Sequence, residues 1–387
     1  MNKKDISAIR RQFKLDNDAL HIKEIFTVYV QKETGAIYHQ MSEPFEMMER
    51  ETQELFHNNF KKVLTGQLDT RLFELKFNKE ADVPTYNYLL EALQSRDLDV
   101  WREQMLHVVG QMTEHIKHDF DTVVTFIYGN YERPVSRDVE ATEEHRNDYV
   151  HHNVFILCSV NKTTLPKAEL TFDYIEKLFR PTTNVDPVIE LDKPLAGFLF
   201  PVFNEHIANV NHVLYRTAKA NEPDPIFVEN VLGCQDSVTA LEDKDTFEFM
   251  VSELAGEQMN AQVISNIYEE IGDLLEESEE NEEDPPMLGY SDVENILSMS
   301  GVEGVETEHV KKAFTSYAAD EGHEFKASSL LPKNVKVQTE RAKLTLNPQD
   351  LKNVKVVNYN GKRCLLLEID DDIEIEGFHL DDTIELN

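Results

Sequence analysis

Four stretches between residues 121 and 218 limit the fold more than any other feature of the chain. Thr122–Tyr131, Tyr149–Val160, Val188–Phe203 and Asn211–Ala218 are rich in β-branched and aromatic residues and are separated by polar loops, the composition of paired strands. No regular strand–helix alternation with a glycine-rich turn accompanies them, which argues against a doubly wound nucleotide-binding sheet. An antiparallel sheet with helices to one side is expected, with a helical turn at Tyr174–Phe179 between the second and third strands.

Upstream, EIFTVYVQKETGAIYHQM (residues 24–41) reads as two β segments around Glu33-Thr34-Gly35. A helix is expected from about Glu46 to Leu64, closed by Gly66, then a strand at Arg71–Phe77 and helices near Tyr86–Gln94 and Val100–His118. In the last of these, Trp101, Met105, Val108, Val109, Met112 and Ile116 form one apolar stripe, which predicts core packing. Downstream, residues 244–277 read as helix and run into Glu269–Asp284, which holds ten carboxylates and no Lys or Arg. Like-charge repulsion and Pro285-Pro286 predict a flexible segment over 276–286. Ser291-Asp-Val-Glu294 matches a capping box, and Thr307–Ala319 predicts a further helix. The last sixty residues alternate again, and Asn360-Gly361 between two such runs is a strong hairpin signal. The expected class is α+β in four parts: a mixed unit over 1–120, a central antiparallel β unit over 121–235, an acidic helical segment over 236–327 and a C-terminal β-hairpin unit over 328–387.

Composition narrows the function. The 387 residues carry 38 Lys+Arg against 73 Asp+Glu, a net charge of −35, and 41% are apolar, enough for folded cores. Residues 1–130 are net −5, 131–268 net −12 and 269–387 net −18. Affinity for nucleic acid comes from cations that neutralise phosphates, so binding of free nucleic acid by the C-terminal half is disfavoured. No run of 18 apolar residues is present, so no membrane span is expected. The start MNKKDISAIRRQF lacks the apolar core of a secretory signal. Cys158, Cys234 and Cys364 are widely spaced and suggest a reducing cytoplasm. Lys3, Lys4, Arg10, Arg11 and Lys14 surround Ile6, Ile9 and Phe13 at helical spacing. Such a helix either touches an anionic surface or packs its apolar stripe on its own unit, and the second role is expected.

Motifs that announce common chemistries are missing: no phosphate loop, no G-x-G-x-x-G, no G-x-S-x-G elbow, no H-E-x-x-H and no paired C-x-x-C. The best remaining cluster is Asn204-Glu205-His206 with His212, Tyr215 and Arg216, at the end of GFLFPVF. A carboxylate, two imidazoles, a phenol and a guanidinium could move protons or hold an anion. His206 and His212 would share a face only on a continuous strand. His145, His151 and His152 read as a polar strand edge, and His115 with His118 as a solvated helix end. Asp370–Asp372 with Glu374 and Glu376 suggests a calcium loop, but Ile375 stands where that loop needs glycine, so a strand is the better reading. Cys158 in NVFILCSV reads as a buried apolar residue. Neither a metal nor a cofactor is expected.

The segments MNKKDISAIRRQFKLDN, GFLFPVFNEHIANVNHVLYRTAK and LPKNVKVQTERAKL with NYNGKRCLLLEIDDDIEIEGF together resemble the bacterial family catalogued as domain of unknown function 4317. The resemblance runs over nearly the whole chain. It implies an intracellular bacterial protein and no activity, and it carries over no catalytic residue. The expected function is a soluble cytoplasmic binding or regulatory protein without catalysis. Such a protein would recognise a protein or ribonucleoprotein partner through its surface, with Asn204, Arg216, Arg10 and Arg11 as candidate binding residues. The alternative is a hydrolase centred on His206, His212 and Tyr215, with Glu205 as its carboxylate.

Overall fold

The stretch NVFILCSV, residues 153–160, is apolar on both sides, and a strand of that kind needs cover on both faces. A computed structural model shows that cover. It describes residues 1–95, 97–133, 151–166, 170–181, 186–204, 207–235, 237–281, 284–318, 320, 322–340, 342–368, 373–375 and 378–380, with backbone alone at 133, 151, 152, 204, 207, 373–375, 378 and 380. The chain divides into two compact units, Met1–Thr239 and Ala240–Asn387.

Unit 1 begins with α1 (Lys3–Gln12), β1 (Leu20–Val30), β2 (Ile37–Pro44), α2 (Arg50–Val63), β3 (Leu72–Lys76), α3 (Thr85–Gln94) and α4 (Leu98–His115). Then come β4 (Thr122–Arg133), β5 (His151–Thr164), β6 (Leu170–Asp173), β7 (Leu178–Pro181), β8 (Val188–Ile189) and β9 (Ala196–Phe200). It closes with β10 (Val202–Asn204), β11 (Ile207–Asn209), β12 (His212–Thr217) and a π-helical turn over Ile226–Val231. The main sheet runs β2-β1-β4-β5-β9-β12-β3, with β8 paired to the end of β5, and its neighbours are antiparallel.

Side chains alternate between the two faces of this sheet. Phe26, Phe126, Cys158, Phe198 and Tyr215 lie in a core with Trp101 and Met105 of α4 and Phe227 of the π turn. Ile25, Ile127, Leu157 and Leu214 lie in a second core with Ile9 and Phe13 at α1 and Phe60 of α2. Helices therefore cover both faces rather than the single face that strand composition suggested, because β5 and β9 bury apolar side chains on both sides. The stripe Ile6, Ile9 and Phe13 is buried in the second core, so α1 packs on its own unit. Arg10 and Arg11 sit in its last turn, where positive charge suits the helix dipole. A Cβ at Gly197 of β9 would stand 2.6 Å from the Cys158 carbonyl oxygen and 2.8 Å from Val63 Cγ1, so glycine lets α2 approach the sheet here.

Other expectations are corrected in the same unit. The boundary at 120/121 runs through one sheet, since β1 pairs with β4 and β3 with β12. The helical turn expected at Tyr174–Phe179 is instead the turn and return strand of the β6–β7 hairpin, paired from Leu170 with Pro181 to Asp173 with Leu178. The stretch Val188–Phe203 is not one strand but three.

Unit 2 contains α5 (Ala240–Ala255), α6 (Ala261–Glu280), β13 (Met287–Leu288), α7 (Tyr290–Met299), α8 (Thr307–Tyr317), β14 (Phe325–Lys326) and α9 (Ala327–Leu330). Its core holds Phe247, Ile267, Ile271, Leu297, Phe314 and Phe325. Asn260 caps α6, its side-chain oxygen accepting from the Gln262 and Val263 N–H groups. The helix persists through Glu280 and carries seven of the ten tract carboxylates, because Ile267, Ile271, Leu274 and Leu275 stay packed on the core. Part of the segment expected to be flexible is therefore helical. Gly289, not Ser291, caps α7, and its N–H donates to Asp292 Oδ2 at 2.9 Å.

Three hairpins follow: β15 (Val335–Gln338) with β16 (Lys343–Leu346), β17 (Val354–Tyr359) with β18 (Lys362–Leu367), and β19 (Ile373–Ile375) with β20 (Phe378–Leu380). Ser265 Oγ of α6 donates to the Pro348 carbonyl at 3.3 Å, so contacts also cross the boundary expected at 328. Asn360 and Gly361 turn the β17–β18 hairpin with φ of 50° and 72°, the paired positive values that a two-residue turn requires. Gly361→Ala is expected to cost about 1 kcal/mol. Amide exchange in β17 and β18 would then speed up about fivefold, while that of α6 stays unchanged.

Candidate functional site

β12 carries most of the residues that the sequence singled out. Its alternation sends His212, Leu214 and Arg216 to the α2 face and Val213 and Tyr215 to the α4 face, matching the division of Leu214 and Tyr215 between the two cores. His212 and Tyr215 therefore do not converge. His212 Nδ1 lies 2.7 Å from the Asn209 side-chain amide, which donates to it and leaves the ring proton on Nε2. β11 (Ile207–Asn209) and β12 (His212–Thr217) are separate strands. Glu205 and His206 themselves lie outside the described residues, and Asn204 is described by its backbone, paired with Ile207 at the end of the β10–β11 hairpin.

Arg216 is buried, and its terminal nitrogen donates to the Pro194 carbonyl at 2.7 Å. Burial, helped by the nearby Arg71 charge, lowers its pKa to about 10, so it stays cationic at neutral pH. Tyr215 is also buried. Its phenol is pushed up to about 12, mainly by burial, and its oxygen accepts the Asp224 N–H at 3.4 Å. A neutral phenol and a guanidinium tied to a carbonyl are structural groups in this setting. Cys158 and Cys234 are buried thiols whose pKa burial raises, which removes the thiolate character that a nucleophile needs.

Among the described residues, no group of three His, Cys, Asp or Glu side chains could hold a metal ion. His145 and Asp370–Asp372 lie outside them. His151, His152 and Glu374 are described by their backbone on β5 and β19. His118 follows the end of α4, stacked on Phe120 at 5.1 Å, with its pKa lowered chiefly by burial.

Two features were not read from the sequence. The first is the β6–β7 hairpin, where Leu170, Tyr174, Ile175 and Phe179 are 74%, 86%, 93% and 72% exposed. Phe172 packs its ring 5.2 Å from both Tyr174 and Phe179, and Asp173 is ion-paired with Arg180. This makes a neutral, aromatic-tipped finger. Large apolar side chains grouped on a surface mark contact sites. The second is a cavity of about 480 Å³ beside Tyr215, at the end of α4. The signal for the hairpin lay in the residues, since Leu170, Phe172, Leu178 and Phe179 fall in two short apolar runs, but its turn contains no glycine. Lys177 supplies the left-handed residue, with φ of 53°.

An antiparallel sheet covered by helices on both faces, joined in sequence to a helical and hairpin unit, defines an α+β protein. Among the described residues, no helix is long and apolar enough to cross a membrane. The chain belongs to the family described as Domain of unknown function (DUF4317), whose model matches residues 1–378. A search of curated proteins found no match to it.

Proposed function

We propose that this chain is a non-catalytic binding or regulatory protein of the bacterial cytoplasm. It recognises a protein, free or as the protein part of a ribonucleoprotein, and the β6–β7 hairpin makes the contact. The exposed aromatic finger is the observation that carries this reading. Tyrosine and other aromatic residues bring large contact area at low entropic cost and concentrate binding energy at interfaces. The net charge of −35 favours a partner with a basic rim around an apolar groove, and it opposes both an anionic lipid surface and a second copy of the chain. Three free cysteines, two of them buried, support the reducing compartment.

The test is capture of partners from lysate at low and high salt, comparing the native chain with a variant carrying Tyr174→Ser, Ile175→Ser and Phe179→Ser. A discrete protein should be retained by the native chain, weakened by salt, and reduced at least about tenfold by the variant. Because these side chains are exposed, the variant should keep its melting temperature. Equal retention by both chains counts against the hairpin, and the absence of any salt-sensitive partner counts against the binding role.

A further inference from the structure

The cavity beside Tyr215 lies wholly within unit 1, where the end of α4, the β1–β2 turn and the loop after β12 meet over the sheet. Met112, Ile116, Val124, Val160, Tyr215 and Phe227 supply its apolar wall. Tyr215 and Phe227 stack on one another at 5.3 Å with ring planes 26° apart, which makes this part of the wall rigid. About 480 Å³ falls in the range of small-molecule sites. Apolar walls give water too few hydrogen-bond partners, and side chains facing a void forgo their dispersion contacts. Occupation by an apolar body would recover both.

The backbone at this place is unusual in a way that points in the same direction. Phe227 lies on the π-helical turn Ile226–Val231, where the Leu232 N–H donates to the Phe227 carbonyl at 2.9 Å. Such turns are rare and recur at functional sites. Charge at the rim decides the ligand class. Lys32, Lys117 and Lys219 stand against Glu33, Glu222 and Asp224, three of each sign. Lys219 pairs with Glu222 at 3.1 Å, and Asp224 Oδ1 accepts the Ile226 and Phe227 N–H groups at 3.0 and 3.3 Å. The rim therefore gives neither a cationic nor an anionic ligand a net field to follow. His118 at the rim, kept neutral by burial, offers one donor and one acceptor.

We propose that this cavity binds an uncharged, largely apolar small molecule, with its apolar body against the wall and its polar edge at His118. The proposal is independent of the hairpin. Nile red, an uncharged planar heteroaromatic dye, is the probe, titrated into the full chain and followed by its emission. Saturable one-site binding with blue-shifted emission is expected. Ala218→Trp, at an exposed rim position, and Ile116→Trp, at the cavity wall, should each weaken it at least about tenfold while leaving the circular dichroism spectrum unchanged. The hairpin variant should bind the dye as the native chain does. No saturable binding, binding that both tryptophan variants leave intact, or binding that the hairpin variant abolishes would each overturn the proposal.

Discussion

Trp101→Ala is expected to destabilise unit 1 by about 4 kcal/mol. Trp101 is the only tryptophan of the chain and is fully buried, with Phe26 at 6.1 Å and Tyr128 at 5.8 Å from its ring. It anchors α4 to β1 and β4, so its removal leaves a void that side chains from two strands and one helix cannot all close. Its indole N–H finds no acceptor among the described residues. Trp101→Phe should cost less than half as much, because its ring keeps most of the space filled while both variants remove the unsatisfied donor. Hydrogen exchange of the β4 amides checks both variants. Equal costs for the two would contradict the space-filling role of this side chain.

The second large effect is acid sensitivity through His57. This side chain of α2 is buried between Phe13 at 6.3 Å and Phe45 at 5.1 Å, and its Nδ1 has no partner among the described residues. Burial first, and the Lys61 charge second, lower its pKa to about 4. In the unfolded chain the imidazole titrates near its ordinary value of about 6.5. Between these two values the unfolded state binds the extra proton, so the stability contribution is fully present above pH ~6.5 and is lost as pH falls toward ~4. The loss is about 3 kcal/mol over that window. His118 shifts in the same direction, which makes a difference measurement necessary. His57→Phe keeps the packing and cannot take a proton. Urea unfolding at pH 7 and pH 4 should show the native chain losing about 3 kcal/mol more than the variant. Parallel losses in the two proteins would contradict this account of His57.

Local signals in this chain were legible where one residue or one period decides the structure. Asn360-Gly361 fixes a turn by its own backbone freedom, and the helical spacing of Ile6, Ile9 and Phe13 marks the face of the chain that is buried. The strands of the sheet were readable from composition, but their cover was not. Nothing in NVFILCSV says which helices lie over Phe155 and which over Cys158, because those helices are α2 and α4, many residues upstream. The helical reading of Tyr174–Phe179 failed since the turn uses Lys177 at positive φ where glycine would have announced it. The cavity was invisible for a related reason. Its wall joins Met112, Val124, Val160, Tyr215 and Phe227, which are far apart in sequence and meet only where a helix and a π turn pack on the sheet. The cluster around His212 looked promising because its residues are close in sequence, yet on a strand neighbours in sequence face opposite ways.

The most direct test of the binding role places a photoreactive amino acid at position 174 or 175 of the full chain, with a third version at the exposed Glu54 of α2 as reference. Irradiation in cell extract should give one saturable adduct with a discrete protein from positions 174 and 175, and none from position 54. Adducts with lipid, adducts with a second copy of this chain, or the same pattern from all three positions would contradict recognition of a protein by the hairpin.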